Sequence, residues 1–486
     1  MKMACIFGWE SLFILIEEII IIPIWPCKHV YVCCAVGPVN FVILLSGHKQ
    51  GFDFIMQNTL ATMDPQQLAA KELFDHLPPT RVGRTDRQYM DQVLDAGFGN
   101  WESADMVGRF EAAFAEKFGA PYAISHNSGS GTMLSCLLAA GVGPGDEVIV
   151  PTFTMAATAF VVIQCGAVPV FSDSDPRTFN IDVADAERRI TPWTRAIIPV
   201  HLFGLPANMD PIMALADKHD LVVIEDSAQC FLATYRGQLA GTIGHAGSWS
   251  FQGSKHMTSG GDGGIVTTAD AELGRDIRKA AIQGYRTLTA EPGAASIPRD
   301  ERQDYSFKRH DRIGYNFRMS AMQAALGLAQ LERLDHLVAA RRYIAWRYEQ
   351  VIVDHGCEWL IRPVTPEGST HSSYIYACIV DEDKLGVDWR TFRETYIEHG
   401  GDGLYGASSP VHLEPIFQNL SFYGDRTRAP HFDSRYKGSV KQYTQDDCPQ
   451  VESFRNRLCQ FKTGMQTLEK VEREVNALDA TIRYFQ

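Results

Sequence analysis

Residues 222–268 read VVIEDSAQCFLATYRGQLAGTIGHAGSWSFQGSKHMTSGGDGGIVTT. Its beginning, with Leu221 just before it, is apolar through Leu221, Val222, Val223 and Ile224, a run with no polar face. Such runs belong to strands of a parallel sheet covered by helices on both sides. Asp226 follows directly, so its carboxylate stands at the strand's carboxyl edge, where open α/β sheets bind their ligands. Lys255 comes 29 positions later (255 − 226), in a loop after a second strand at 247–250. The setting around it is small and flexible, ending in Gly260, Gly261, Asp262, Gly263 and Gly264.

A single loop lysine is ordinarily a solvated one, but a lysine facing a carboxylate across a sheet edge is what a pyridoxal phosphate site requires. The amine holds the aldehyde as a Schiff base, and the carboxylate keeps the pyridine nitrogen protonated so that the ring can accept charge from a carbanion. A phosphate needs a cradle as well. Ser128, Gly129, Ser130, Gly131 and Thr132 lie between a strand at 122–126 and a helix, which aims backbone N–H groups and the helix dipole at an anion. Ser250, five positions before Lys255, adds a hydroxyl from the other side. Such a Ser/Gly turn by itself is as often a helix cap; together, in this order, the three features define a site.

Working outward, short β-branched runs alternate with helical stretches from about Pro121, which predicts βαβ units and a mostly parallel sheet. The strands fall at 122–126, 147–150, 168–171, 196–200, 221–225, 247–250 and 264–268. Seven strands sandwiched by helices make a large α/β domain, assigned to 56–340. Ser320 and Gln323 have capping-box spacing ahead of Met322, Ala325, Leu326, Ala329, Leu334 and Leu337, so a long helix leads out of it. A smaller C-terminal α/β domain follows over 341–486, with a strand at 374–380. The polar stretch 290–309 reads as an inserted surface loop.

The first 55 residues differ in character. They are very apolar at 11–16, 19–27 and 30–46, yet Glu17, Glu18, Lys28, Pro23 and Pro38 interrupt them. No uninterrupted run reaches the roughly 18–20 residues of a membrane helix, and neither a basic start nor a cleavage site marks a secretory signal. The expectation is that translation starts at Met56 or Met63, with a membrane-associating extension as the alternative.

The whole chain has 486 residues, 45% of them hydrophobic, which excludes disordered and collagen-like classes. Its 45 Lys+Arg against 58 Asp+Glu leave a net charge of −13, which opposes general nucleic-acid binding. Eleven cysteines without framework or CxxC pair point to a reducing cytosol, hence a cytoplasmic protein. The chemistry calls for no metal.

Five blocks carry a resemblance to a known family: GPGDEVIVPTFTMAATA (143–159), IIPVHLFGLPANM (197–209), VVIEDSAQ (222–229), GSWSFQGSKHMTSGGDGG (247–264) and RIGYNFRMSAMQAALGLAQLERLD (312–335). They resemble the nucleotide-sugar aminotransferases of the DegT/DnrJ/StrS type, over roughly residues 80–486. The resemblance implies a fold-type I pyridoxal phosphate transferase, like aspartate aminotransferase, acting as a homodimer with shared active sites. It implies that Lys255 is the Schiff-base lysine, that Asp226 pairs with the pyridine nitrogen, and that Gln229 approaches the phenolic oxygen. Ser250, Gly131 and Thr132 would hold the phosphate, and Asn316 would reach the phosphate of the neighbouring subunit. The family's usual stacking aromatic falls at Met155, a departure that a thioether partly makes good. Relatives that dehydrate sugars carry histidine at the lysine position, so Lys255 favours transamination. His201 is read as a supporting residue, and His412, in SSPVHLEPIF, as a sugar-pocket candidate with packing as its alternative.

The implied reaction moves an amino group from glutamate or glutamine to a keto-sugar, by ping-pong kinetics. Two alternatives remain open at this point: a keto-cyclitol acceptor of the scyllo-inosose type, and a regulatory protein with the fold but no turnover.

Overall fold

The computed structural model describes residues 59–97, 105–293, 300 and 303–486, together with the backbone of three earlier strands. Residues 1–63 and 64–486 are separate compact units. In the first, His29–Val36, Val39–His48 and Gly51–Ile55 form an antiparallel meander. Met56 and the apolar runs before His29 lie outside the described residues, as does most of the stretch 294–302. No helix among the described residues is long and apolar enough to cross a membrane.

All seven strands of the large sheet occur. They are β1 (Tyr122–His126), β2 (Glu147–Pro151), β3 (Val168–Ser172), β4 (Thr194–Ile197), β5 (Val222–Asp226), β6 (Ala246–Ser250) and β7 (Gly264–Thr268). Their order across the sheet is β1-β7-β6-β5-β4-β2-β3. Only β7 runs against its neighbours; β6-β5-β4-β2-β3 is parallel throughout. Parallel pairing needs crossovers, which the helices Gly129–Ala139, Ala157–Gln164, Val183–Arg188 and Met209–His219 supply.

Both faces are buried, as the sequence pattern requires. One packs Ile124, Val148, Val150, Ala196, Ile224 and Val266 against Leu134 and Leu137. The other carries an aromatic cluster in which Trp249 lies 5.0 Å from Phe231 and 5.5 Å from Phe114 between ring centroids. Burial of each such side chain contributes on the order of 2–3 kcal/mol. The helix expected at Ser320 begins there with both halves of the capping box made. It stops at Arg333 (φ −110°, ψ 15°), and a second helix, Leu334–Asp354, takes over. Beyond it lies a small antiparallel sheet of Leu360–Ile361, Ile375–Val380 and Leu458–Lys462, backed by the helix Leu468–Phe485.

Two histidines make the packing acid-sensitive. His126 is wholly buried and His431 is 9% exposed, and burial holds each down to about 4. An unfolded histidine titrates near 6.5. As pH falls below that value the unfolded chain gains protons that the folded chain refuses until about 4, so stability present above pH 6.5 is lost on the way down. The loss is about 1.4 kcal/mol per pH unit for each group. The urea midpoint is expected to drop between pH 6.5 and 4, with a shallower slope in a His126→Asn/His431→Asn variant. A midpoint that stays level over that interval would refute the assignment.

Candidate active site

The parallel strands end together. Asp226 closes β5, and its register partner in β6 is Ser248, two residues before Ser250. Ser250 pairs across β7 with Gly264, which in turn pairs with His126 at the end of β1. Asp226, Ser250 and the turn into the helix at Gly129 therefore share the carboxyl edge of the sheet.

Asp226 is 5% exposed, and both of its oxygens are held. The Thr158 hydroxyl donates to Oδ2 at 2.9 Å and the Ala228 N–H to Oδ1 at 3.2 Å. Its backbone is fixed from the neighbouring strand, accepting from the His201 N–H at 3.0 Å and donating to the Pro199 carbonyl at 2.8 Å. Such bonds leave the carboxylate a single orientation.

On the opposite face of β5, His201 Nδ1 accepts from the Ala207 N–H at 3.0 Å, which makes Nε2 the protonated nitrogen. That nitrogen lies 2.8 Å from Glu225, whose carboxylate also accepts from the N–H groups of Gly241, Ile243 and Gly244. His201 is thus a supporting residue, as expected. It pins the strand end without reaching the open edge.

The cradle is built by close approach. The helix Gly129–Ala139 is capped by Ser128, whose Oγ accepts from the Gly131 N–H at 3.1 Å. The N–H groups of Gly129 and Ser130 lie in the helix's first turn, where no intrahelical carbonyl can accept from them, and can serve an external acceptor. Gly129 packs so tightly on Ser250 that a Cβ there would lie 2.7 Å from the Ser250 Cβ and 3.0 Å from its Oγ. That contact brings the Ser250 hydroxyl to the helix N-terminus. Thr132 departs from expectation: its side chain is fully buried, bonded to the Gly129 carbonyl and to Ser248 Oγ at 2.6 Å. The hydroxyl holds the turn to β6 and is not presented to a ligand. Gly131 likewise spends its N–H on the cap and sits against the Phe317 ring.

Gln229 directs its carbonyl to the Phe203 N–H at 3.0 Å, which leaves its NH2 as the group it can offer an oxygen acceptor. Met155 is 70% exposed at the edge, just before Thr158. Asn316 is exposed, in the same loop as Ile313 at 89%. His412 requires a correction. It is wholly buried, paired through Nδ1 with the Thr152 hydroxyl and through Nε2 with the Thr444 carbonyl at 3.1 Å. Both nitrogens are used inside the chain, so it packs under the edge and lines no substrate pocket.

Lys255 sits in the loop after β6, half-buried, with its Nζ 5.0 Å from the centroid of the Tyr374 ring. The Tyr374 hydroxyl lies 2.9 Å from Ser254 Oγ. Neighbouring His256 is buried and donates from Nε2 to the Ser372 carbonyl at 3.1 Å, which fixes it as structural. Sequence reasoning missed Tyr374 and Thr158, as well as two arginines, Arg81 and Arg341, on the lysine loop. Tyr374 sat at the expected strand's first position, with nothing local to mark it. Thr158 lies inside a quoted block, seven residues past the end of β2 and at the start of the helix Ala157–Gln164, where its hydroxyl meets Asp226.

These residues suit pyridoxal phosphate. A helix end that only glycine at 129 can bring against Ser250, a fixed carboxylate at the same sheet edge and a primary amine on the loop leaving that edge are of the chemistry its phosphate, pyridine nitrogen and aldehyde call for. A sequence profile of the DegT/DnrJ/EryC1/StrS aminotransferase family matches residues 81–440. The chain is 40% identical over 347 residues to the GDP-perosamine synthase of Caulobacter vibrioides, across 70% of this chain and 86% of that one. Over 316 residues it is 36% identical to the L-glutamine:2-deoxy-scyllo-inosose aminotransferase of Micromonospora echinospora, across 64% and 72% respectively. Among solved structures, that of the aminotransferase from Psychrobacter cryohalolentis matches with a TM-score of 0.72 and 31% identity, covering 84% of this chain and 99% of that chain.

Proposed function

Because this chain belongs to the DegT/DnrJ/EryC1/StrS aminotransferase family, whose members depend on pyridoxal phosphate, we propose that it aminates a nucleotide-linked keto-sugar with nitrogen from glutamate or glutamine. The observation that carries the reading is the meeting of Asp226, Ser250 and the Gly129 helix end on one sheet edge, with the Lys255 loop leaving from it.

Bound pyridoxal phosphate supplies an electron sink for the carbon that loses its proton. Asp226, oriented by Thr158 and Ala228, holds a proton on the ring nitrogen. Ser250 and the Gly129 and Ser130 N–H groups bind the phosphate dianion, and the Gln229 NH2 donates to the ring oxygen. Lys255 Nζ takes the proton from the carbon bearing the donor amine and returns one to the carbon that receives the nitrogen. In the second half-reaction it does the same in reverse on the acceptor. Met155, exposed at the same edge, would be the side chain to pack against the bound ring.

Asn316 belongs to the partner's site in the homodimer we propose. The exposed Ile313, Tyr305 and Tyr315 around it are a surface that pairing would bury. Absence of nucleic acid among the partners follows from the net charge of −13. A cytoplasmic location fits the seven described cysteines, all free.

A keto-cyclitol acceptor is the second reading, favoured by the likeness to the Micromonospora enzyme. The regulatory alternative loses ground, since the chain retains Lys255, Asp226, Gln229 and Ser250 together. In the test, the purified protein is converted with glutamate or glutamine and its visible absorbance is followed against nucleotide-linked keto-sugars and inososes. The absorbance is expected to recover at least about tenfold faster with a nucleotide-linked keto-sugar, the discrimination that a dedicated polar pocket provides. Faster recovery with an inosose would reverse the choice.

A further inference from the structure

Four successive carbonyls of the lysine loop are taken by two guanidinium groups. Arg81 donates from Nη1 to the Gly253 carbonyl, and from Nη2 to those of Lys255 at 2.7 Å and His256 at 3.0 Å. Arg341 donates from Nη2 to the carbonyls of Ser254 at 3.1 Å and Lys255 at 3.2 Å. The two arginines come from distant parts of the chain, one between the helices Ala70–Asp75 and Arg84–Asp95 and one within Leu334–Asp354.

The far side of Arg341 reaches the small sheet. Its Nη1 donates to the Tyr374 carbonyl at 3.0 Å and to Thr463 Oγ1 at 3.1 Å, and Thr463 bonds back to the Ser373 and Tyr374 carbonyls. A Cβ at Gly464 would lie 3.1 Å from Nη2, so the pocket is cut to the guanidinium. The Tyr374 ring has the Arg341 Cζ 5.3 Å from its centroid and the Lys255 Nζ at 5.0 Å.

Among the described residues neither guanidinium has a carboxylate partner. Arg341 is 6% exposed, and burial followed by the charge of Arg81 presses it down to about 9. An unpaired buried cation is costly, and a charged fork on carbonyls is among the strongest ways to immobilise backbone. The peptide planes on both sides of the Lys255 α-carbon are held in this way, so the direction of its Cα–Cβ bond is held as well.

We propose that Arg341, seconded by Arg81, is a positioning residue: it fixes the root of Lys255 and ties it to the small sheet, so that the amine reaches the proton it must move. The proposal rests on Lys255 being the cofactor-bearing amine. Misplacement of a catalytic group by about 1 Å costs on the order of a hundredfold.

The test uses the full chain with cofactor bound. In Arg341→Met, hydrogen exchange of amides 253–257 is expected to accelerate at least about tenfold while that of 222–226 is unchanged. The donor half-reaction should slow about a hundredfold, with the donor KM within about twofold. Arg341→Lys keeps the charge without the fork and should loosen the loop to an intermediate degree. It carries the same test if Arg341→Met fails to fold. Unchanged loop exchange, or a loosened loop with wild-type turnover, overturns the proposal. Borohydride trapping of the wild-type cofactor, read by peptide mass, separates the two levels. Attachment at another lysine removes the site reading and this inference with it. Attachment at Lys255 beside an unmoved loop in the variants removes the inference alone.

Discussion

Lys255→Ala is expected to eliminate amino transfer, lowering the rate of each half-reaction by about 10⁴-fold or more, since in the proposed function one side chain is both the covalent anchor and the proton carrier. Fold stability should barely change. The side chain is half-buried and makes its described contact with the Tyr374 ring, an interaction on the order of 0.5–1 kcal/mol. The check is a stopped-flow measurement with the donor alone, paired with a melting curve. A variant that still turns over at more than about a hundredth of the wild-type rate would put the proton carrier elsewhere. Arg, which keeps charge and length but lacks a nucleophilic amine, should fail equally.

Asp226→Asn should be the next most damaging change. The amide has nearly the same shape and can still accept from one of the two donors, but it brings an NH2 toward the Thr158 hydroxyl or the Ala228 N–H. It also cannot hold a proton on a ring nitrogen. Loss of one preorganised charge of this kind costs about 10²–10³-fold in kcat. The phosphate cradle is untouched, so cofactor affinity should fall much less than turnover. Equilibrium dialysis against rapid-quench rates decides the point; an affinity loss equal to the loss in rate would make Asp226 a binding residue only. Thr158, which orients this carboxylate, supplies no charge, so its removal should cost far less than Asp226→Asn.

Much of this was readable locally. Apolar runs with no polar face specify strands buried on both sides, and Val222–Asp226 occurs within one residue of the expected span. The residue that ends such a strand is necessarily at the sheet edge, so Asp226 and Ser250 could be placed from the pattern. The reciprocal bonds of Ser320 and Gln323 are an equally local device, three residues apart. The later break at Arg333 escaped because the apolar series runs on across it, and the turn is made by one residue's dihedrals. For His412 the sequence left a sugar-pocket role and a packing role both open. Its two hydrogen-bond partners, Thr152 and Thr444, are 260 and 32 positions away, beyond the reach of any local signal.

By itself, then, the order of residues determined the strands, the helix caps, and the amine and acid to which the proposed chemistry is assigned. Each of these follows from side chains within a few positions of one another along a regular backbone. Tertiary structure alone decided which way hydroxyls and guanidinium groups turn. Thr132 faces Ser248 and not a ligand, His412 is sealed beneath the edge, and Arg81 and Arg341 converge on one loop from 174 positions before Lys255 and 86 after it. Hydrogen-bond donors reach only about 3 Å. Which carbonyl lies within that radius is a property of the packed chain, and no pattern in the sequence encodes it.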